Sequence, residues 1–279
     1  MKTSLKCLAV LCYTVSLAGF ATAAQAAGSC TPAHRFSTIT PGTLSVATWD
    51  FPPYSIPVSG SEVNGVDGAI LRLVAAKECL TLSFANVDAA AVIQSVVSGK
   101  ADIAMGDWYR TADRAKVLGL AAPMYLDQMG VISGSGVDTI GGMQGKRVGA
   151  VAGYLWTGDL QKVFGSNLTI YPNPVAMAQD LAAGRIDIGT DSYAVAVYDQ
   201  KKGGYKSMKI GVVKPDQRVP ATIQPGQTAF PFTKSNQALG EALSADIEAL
   251  HQSGDIARIL KEHGLDPDAA KVGTPRLVQ

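Results

Sequence analysis

The chain repeats one short corner between a helix and a strand, and this repeat limits the folds open to it. Ser98-Gly-Lys-Ala-Asp-Ile103 recurs further on as Ala183-Gly-Arg-Ile-Asp-Ile188. Each copy follows a segment with helical apolar spacing and leads into a short apolar strand. Two similar α/β halves are therefore predicted. The alternative is that the corner recurs only because glycine ends a helix well.

Strand and helix patterns alternate through both halves. Strands are predicted at 44–48, 80–84, 102–105, 129–133, 147–151, 168–171 and 209–213. Such alternation predicts an α/β fold in which each lobe is a mostly parallel sheet flanked by helices. We place lobe 1 at 42–133 plus 228–265 and lobe 2 at 134–227. A strand over 228–232 would return the chain to lobe 1, so two crossings would join the lobes and form a hinge.

The first 26 residues have the pattern of a secretory signal peptide. Lys2 and Lys6 precede an apolar run over 8–20, and Ala24-Gln-Ala26 is a cleavage site. We therefore expect export to the periplasm. No second apolar stretch of membrane length follows.

Charge does not favour a nucleic-acid partner. The chain has 24 Lys and Arg against 23 Asp and Glu, and loss of Lys2 and Lys6 with the leader leaves 22 against 23, a net charge of −1. Basic runs and basic-aromatic stripes, which nucleic-acid binding needs, do not occur. We expect a monomer.

Two of the four cysteines remain after the leader is removed. An exported protein with Cys30 and Cys79 is predicted to form a disulfide between them. Lipidation of Cys30 is the alternative, but Ala27-Gly-Ser-Cys30 lacks the apolar residue that a lipobox requires.

Catalytic and metal motifs are not evident. His34, His251 and His263 lie outside the strand-end loops, so each is predicted to be a surface or packing residue. No His-x-x-x-His, Cys-x-x-Cys, Gly-x-Ser-x-Gly, Walker or dinucleotide motif is present. The sequence thus predicts no catalytic residue, no metal ligand and no cofactor.

Aromatic residues gather in loops that follow predicted strands. All three tryptophans do so, and Phe51, Tyr109 and Tyr154 lie in the same loops as Trp49, Trp108 and Trp156. In open α/β sheets, ligands bind at the carboxyl ends of the strands. These residues are therefore candidates for a binding site, although each could instead fill the space between the lobes.

Arg114 and Asp191 form the sharpest candidate pair. Thr111 is predicted to cap the helix that carries Arg114, beside the loop of Asp107. A guanidinium matches a carboxylate and an aspartate accepts from an ammonium, so the pair would hold a zwitterion. In the alternative, Arg114 pairs with Asp113, and Asp191 caps the helix that starts at Ser192.

Eight short motifs occur in an order that resembles one family. They are Phe51-Pro-Pro-Tyr54, Gly65-Val-Asp67, Ser98-Gly-Lys-x-Asp102, Thr111-x-x-Arg114, Ala122-Pro-x-Tyr125, Gly145-Lys-Arg-Val-Gly149, Gly184-Arg-x-Asp187 and Asp191. This order resembles the periplasmic solute-binding proteins of ABC importers, polar amino acid type, family 3. The resemblance implies a two-lobed receptor with a ligand cleft at its hinge, which closes on a small ligand and delivers it to a membrane permease.

The resemblance also implies roles for single residues. Arg114 matches the arginine that holds the ligand's α-carboxylate, Asp191 the aspartate that holds its α-amino group, and Phe51 the aromatic that packs on its side chain. Asp107 lies where loop atoms meet the amino group. Tyr109 and Leu155 depart from the family, because small hydroxyl residues are usual at both positions.

These departures suggest a particular ligand. Asp107 adds a negative charge that a site for neutral amino acids does not need, and Trp108 and Trp156 are suited to stack on a ring or to surround a cation. We therefore expect an amino-acid-like ligand with a cationic or aromatic portion.

Two other functions and one other class of ligand remain open. A periplasmic enzyme similar to the cyclohexadienyl dehydratases would use Asp107 as a proton donor. A sensor module of a receptor kinase would need a transmembrane or cytoplasmic continuation. A quaternary ammonium ligand would leave Arg114 without a role unless it also carried a carboxylate.

Overall fold

The computed structural model of the chain describes residues 30–58 and 62–278. The predicted signal peptide, with Cys7 and Cys12, lies outside the described residues. The chain from Thr31 onward forms one compact unit. In the described ranges, no helix is both long and apolar enough to cross a membrane. Cys30 and Cys79 are disulfide-bonded, which confirms the predicted pairing.

Strands and helices alternate, as the sequence predicts. The strands are β1 Thr43–Thr48, β2 Ile56–Pro57, β3 Val63–Asn64, β4 Thr81–Asn86, β5 Ile103–Ala104, β6 Leu118–Leu120, β7 Leu126–Asp127, β8 Met129–Ser133, β9 Val148–Val151, β10 Leu168–Tyr171, β11 Ile188–Ser192, β12 Lys209–Val212, β13 Gly226–Gln227 and β14 Pro231–Thr233. The α-helices are α1 Val66–Lys77, α2 Ala89–Val97, α3 Ala112–Val117, α4 Thr157–Phe164, α5 Pro174–Ala182, α6 Tyr193–Lys201, α7 Gln237–Gln252 and α8 Asp255–Glu262.

The strands form two five-stranded sheets with the same pattern. The first has the order β4-β1-β5-β14-β6 and the second β10-β9-β11-β8-β12. In each, the first three strands are parallel and the last two pairings are antiparallel. This confirms an α/β fold with two mostly parallel, helix-flanked sheets, and it adds one antiparallel strand to each, β14 in the first and β8 in the second.

One strand lies in a different sheet from the one expected. The sequence predicts Met129–Ser133 as a strand of lobe 1. In the structure this segment is β8, which pairs with β11 and β12 in the second sheet. All five of its residues are buried, and an antiparallel strand needs no crossover helix to join its neighbours. The chain therefore enters the second sheet before Gly134.

Two segments carry the chain between the sheets, and they pair with each other. β7 leads out of the first sheet and β13 leads back, with Gly226 opposite Asp127 and Gln227 opposite Leu126. β14 then joins the first sheet between β5 and β6, as the strand predicted over 228–232 requires. This antiparallel ribbon forms the connection between the sheets.

The repeated corner has the same structural role in both halves. Gly99 and Gly184 have φ values of 69° and 66°, the left-handed conformation that ends a helix. The aspartate of each copy then holds the neighbouring parallel strand of its sheet: Asp102 Oδ2 accepts from Ser45 N in β1 at 2.9 Å, and Asp187 Oδ2 accepts from Arg147 N, just before β9, at 2.9 Å. The repeat therefore aligns strands and does not itself form a site.

Candidate functional site

A cleft of about 470 Å³ opens where β1 and β5 end, beside the start of α2. Six of the eight predicted ligand-binding residues line it: Phe51, Asp107, Trp108, Tyr109, Arg114 and Tyr154. Trp156 and Asp191 do not. The remaining lining residues are Trp49, Ala89, Ala90, Ile93, Gln94, Gly106, Ala152, Gly153 and Pro172.

The loop after β5 is held in an unusual conformation by a buried carboxylate. Gly106 has φ 120° and Asp107 has φ 60°, a region that side chains rarely adopt. Asp67 Oδ2 accepts hydrogen bonds from both backbone N–H groups, at 2.9 and 3.0 Å, and Asp67 Oδ1 accepts from Tyr125 Oη at 2.5 Å. A side chain on Gly106 would overlap the indole of Trp49. These contacts fix the backbone that presents Asp107 to the cleft.

Arg114 enters the cleft from the first turn of α3. Thr111 Oγ1 accepts from Arg114 N at 3.1 Å, so Thr111 caps the helix as predicted. The guanidinium donates to the carbonyl of Tyr109 at 2.8 Å and lies 5.0 Å from the ring centroid of Trp108. The alternative pairing with Asp113 is not formed, because Asp113 pairs with Lys116 at 2.7 Å.

No carboxylate in the described part of the chain forms a salt bridge with Arg114. An arginine keeps its charge even where burial lowers its pKa, as it does here. Its cationic fork is thus free to bind an anionic group in the cleft, with a carbonyl and an indole face holding it in place.

Asp107 and Asp127 form a pair of buried carboxyl groups. Asp107 is 6% exposed, and its Oδ1 has no hydrogen-bond partner among the described residues. Burial raises the pKa of Asp107 well above its ordinary value, and the nearby carboxylates of Asp127 and Asp67 raise it further. Asp107 therefore faces the cleft as a carboxyl group whose ionisation an incoming cation would favour.

Asp127 is a residue that sequence reasoning missed. It lies in β7, is 2% exposed, and accepts hydrogen bonds from Tyr54 Oη at 3.0 Å, Ser192 Oγ at 2.7 Å and Tyr109 Oη at 2.5 Å. These donors link both sheets and the connecting ribbon. The sequence offers no signal for this role, since Leu126-Asp-Gln resembles an ordinary surface turn.

A stack of aromatic rings forms one wall of the cleft. Trp49 stacks on Phe51 with centroids 4.4 Å apart and planes 10° apart, and Trp49 tilts toward Trp108 at 6.1 Å. Trp49 Nε1 donates to the carbonyl of Gly106 at 3.1 Å. Trp49 is one of the three tryptophans singled out after predicted strands, although the sequence predicts no ligand contact for it.

Asp191 and Trp156 lie behind Tyr154. Tyr154 lines the cleft and donates from its hydroxyl to Asp191 Oδ1 at 2.8 Å. Trp156 is 1% exposed and packs edge-on against Tyr154 at 5.2 Å. The helix that starts after Asp191 is capped by Ser192, whose Oγ accepts from Val195 N, while Asp191 Oδ1 accepts the Ser192 N–H at 2.8 Å. The ligand contacts of Asp191 and Trp156 stay predictions.

Burial without a counter-charge decides the state of Asp191. The residue is fully buried, and Oδ2 has no hydrogen-bond partner in the described part of the chain. Burial raises its pKa to about 8, against the hydrogen bonds from Tyr154 and Ser192, which lower it. Asp191 is therefore mostly protonated at neutral pH until a cation approaches.

The described residues that line the cleft lack the ligands of a metal site. The described lining residues include one carboxylate, that of Asp107, and neither histidine nor cysteine. A metal centre needs three or four such ligands. The cleft is lined instead by a guanidinium without a salt bridge among the described residues, by a buried carboxyl group and by an aromatic wall, which together suit a small zwitterion.

Comparisons with known structures show the same fold. Among solved structures, an ancestral arginine-binding protein bound to glutamine is 23% identical with a TM-score of 0.68 and covers 80% of this chain and 98% of its own. The arginine-, lysine-, histidine-binding protein ArtJ from Geobacillus stearothermophilus is 19% identical with a TM-score of 0.70, covering 82% and 99%. A histidine kinase sensor domain with similarity to periplasmic binding proteins is 16% identical with a TM-score of 0.68, covering 79% and 95%. These likenesses show the fold.

A search of curated proteins finds no match to the chain. The profile of the bacterial extracellular solute-binding proteins, family 3, matches residues 44–266, most of the described chain. This span contains both sheets, the connecting ribbon and every residue that lines the cleft. The chain belongs to the bacterial extracellular solute-binding proteins of family 3.

Proposed function

We propose that the protein is a periplasmic, monomeric receptor that closes on an amino acid with a cationic or aromatic side chain and delivers it to an ABC permease. One observation carries the proposal: two groups of opposite kind line the same cleft, the Arg114 guanidinium, which forms no salt bridge among the described residues, and the Asp107 carboxyl group, whose buried Oδ1 has no hydrogen-bond partner there. An α-carboxylate satisfies the first and an ammonium or guanidinium satisfies the second.

The buried acidic residues around the cleft support a cationic ligand. Asp107, Asp127 and Asp191 are buried at or just behind the lining, while Arg114 is the one basic residue among the described lining residues. A ligand with two positive groups and one carboxylate would favour the ionised form of these acids, whose pKa values burial raises. The names of the structural relatives, an ancestral arginine-binding protein and an arginine-, lysine-, histidine-binding protein, support the same ligand class.

The aromatic wall supports a flat or cationic side chain. Trp49, Phe51 and Trp108 lie together on one side of the cleft, and Tyr154 lies near Phe51, with ring centroids 6.2 Å apart. A guanidinium stacks on such faces, with a contribution of about 0.5–2 kcal/mol per contact. Arginine is the amino acid that uses every one of these features.

A second candidate function is a dehydratase in which Asp107 donates a proton. The observation that favours it is a buried carboxyl group with a raised pKa that faces the cleft beside Arg114. Such an enzyme would consume prephenate or arogenate. Incubation of the purified protein with either compound distinguishes the two functions, since a receptor leaves the substrate unchanged.

The proposal is tested by thermal-shift measurements on the secreted form of the protein with a panel of amino acids, opines, betaines and aromatic acids. A ligand at one hundred times its Kd adds about 2.7 kcal/mol to the free energy of unfolding, so Tm rises. We expect arginine to give the largest shift and Arg114→Ala to abolish it. Arg185→Ala is the matched control, because Arg185 forms a surface pair with Asp180. A panel without any amino-acid hit, or a shift retained in Arg114→Ala, would overturn the proposal.

Delivery to a permease needs a separate measurement. Cells that lack this protein should take up the identified ligand more slowly, and the wild-type gene should restore uptake while the Arg114→Ala variant should not. Unchanged uptake in the deletion strain would show that the protein binds the ligand without delivering it to a permease.

A further inference from the structure

A cluster of one histidine and two carboxylates lies away from the cleft. His34 comes from the segment before β1, Glu78 is the last residue of the turn that ends α1, and Asp246 lies in the middle of α7. One ligand atom from each residue lies within 4.8 Å of the other two. None of the three lines the cleft.

Two of these residues are buried acids in close contact. The side chains of Glu78 and Asp246 are each 1% exposed, and their carboxyl groups are near enough to share a hydrogen bond. Two buried carboxylates repel each other unless a proton or a cation lies between them. Asp246 Oδ2 has no hydrogen-bond partner among the described residues. Without a proton shared with Glu78, Asp246 Oδ2 is therefore an unsatisfied buried oxygen.

The neighbouring basic group compensates only part of this charge. Lys77 Nζ lies 2.7 Å from Asp246 Oδ1, but the lysine side chain is 42% exposed. His34 Nδ1 lies 2.6 Å from Glu78 Oε1 and 3.9 Å from Asp246 Oδ1, and the His34 N–H donates to Glu78 Oε2 at 3.0 Å. His34 and Lys77 thus contact both oxygens of Glu78 and one oxygen of Asp246, and Asp246 Oδ2 receives no hydrogen bond from either.

We propose that His34, Glu78 and Asp246 bind a divalent zinc ion. Imidazole nitrogen and carboxylate oxygen bind zinc at about 2.0–2.2 Å, which sets neighbouring ligand atoms about 3.3 Å apart in a tetrahedral site. The distances of 2.6 and 3.9 Å from His34 Nδ1 lie on either side of that value, so small side-chain rotations suffice. Three protein ligands leave one position for water.

The sequence gives no sign of this site because its ligands lie far apart in the chain. A metal-binding sequence motif has two ligands within one turn of a helix or within one loop. These three residues come from three separate elements. A bound ion would join the segment before β1 to α1 and α7. Its effect would therefore be on the stability of the first lobe, independent of the ligand cleft.

Zinc chloride titration of the secreted, disulfide-bonded protein against a competing chelator tests the proposal. Because loss of even a residue that only supports a ligand costs about 10- to 100-fold in metal affinity, we expect His34→Ala and Glu78→Gln each to weaken zinc binding at least 100-fold. His263→Ala is the matched control and should bind zinc like the wild type. Wild-type affinity in His34→Ala, or no zinc binding by the wild-type protein, would overturn the proposal.

Lys77→Met provides a second test, in which the replaced side chain is half-exposed and the protein loses no buried residue. Lys77 competes with the metal for Asp246, and removal of its charge should tighten zinc binding and increase the rise in Tm that zinc causes. Unchanged or weaker zinc binding in Lys77→Met would show that the buried carboxylates are satisfied by a proton and by Lys77, which would contradict the site.

Discussion

The hydroxyl of Tyr154 lies 2.8 Å from Asp191 Oδ1, and this hydrogen bond separates Asp191 from the cleft. Tyr154 contacts the cleft with its ring, while Asp191 lies fully buried at the carboxyl end of β11. A ligand ammonium contacts Asp191 directly only if the Tyr154 side chain rotates. Otherwise the ammonium binds the Tyr154 hydroxyl, and Asp191 acts on the ammonium through that hydroxyl. The pair therefore acts as one polar unit in the wall of the cleft.

Removal of the Tyr154 hydroxyl should destabilise the protein. In Tyr154→Phe, Asp191 Oδ1 loses one of its two donors and keeps the Ser192 N–H, and the loss of one hydrogen bond costs about 0.5–1.5 kcal/mol. Urea unfolding at neutral pH measures the loss. Tyr171→Phe is the matched control, because Tyr171 donates to Asp180, which Arg185 also holds at the surface. Equal losses in the two variants would contradict a special role for the Tyr154–Asp191 pair.

The stability of the ligand-free protein should fall as the pH rises from about 5 to 8. Asp191 has a pKa of about 8 in the folded protein, whereas an unfolded aspartate ionises near pH 3.9. Between these values the unfolded chain loses a proton that the folded chain retains, so the free energy of unfolding decreases with pH. Thermal unfolding across this range measures the slope, and Asp191→Asn should reduce it. A stability that increases over the range would contradict the buried, protonated state.

Much of the fold could be predicted from the sequence because local patterns determine it. Short apolar runs bounded by glycine or polar turns gave most strands to within one or two residues. The partner of β8 could not be predicted, since nothing within Met129–Ser133 distinguishes a parallel from an antiparallel neighbour. That choice depends on which edge of which sheet is free.

The candidate site was predicted less completely, for a physical reason. Residues that face a ligand carry a chemical signal, and Arg114 and Asp107 show it. Residues that hold the site together carry none, because Asp67 and Asp127 act through hydrogen bonds to loops far away in the chain. Asp191 was predicted to contact the ligand directly, and the intervening position of Tyr154 depends on side-chain packing that no local pattern encodes.

Gly106 should tolerate no side chain. An alanine Cβ at this position would overlap the Trp49 indole, and φ of 120° is strained for any residue with a side chain. We expect Gly106→Ala to lower both stability and ligand affinity, because the loop that carries Asp107 must move. Gly99→Ala is the control: its φ is 69° and no atom lies within 4 Å of the added carbon, so it should cost only about 1 kcal/mol and leave binding unchanged. Normal binding by Gly106→Ala would show that the loop conformation is unimportant.

Replacement of Arg114 by lysine should show whether its fork matters. Arg114→Lys keeps the positive charge but loses the two parallel N–H donors that match a carboxylate and the planar contact with Trp108. Loss of a charge-assisted hydrogen bond costs about 1.5–3 kcal/mol, which corresponds to roughly 10- to 150-fold in Kd. Calorimetric titration with the ligand found in the thermal-shift panel measures the change. Wild-type affinity in Arg114→Lys would mean that only the charge at this position is used.

Asp107 should decide between cationic and neutral ligands. In Asp107→Asn the side chain keeps its shape but can no longer become negative, so we expect affinity for arginine to fall at least about tenfold more than affinity for glutamine. Because burial and the neighbouring Asp127 carboxylate raise the pKa of Asp107, a cationic ligand should displace its proton on binding. Calorimetry in buffers with different ionisation enthalpies measures this release, which should be smaller in Asp107→Asn and smaller with glutamine than with arginine. Equal losses of affinity for arginine and glutamine would show that the cationic side chain of the ligand does not contact Asp107. Asp107 would then act only in the structure of its loop.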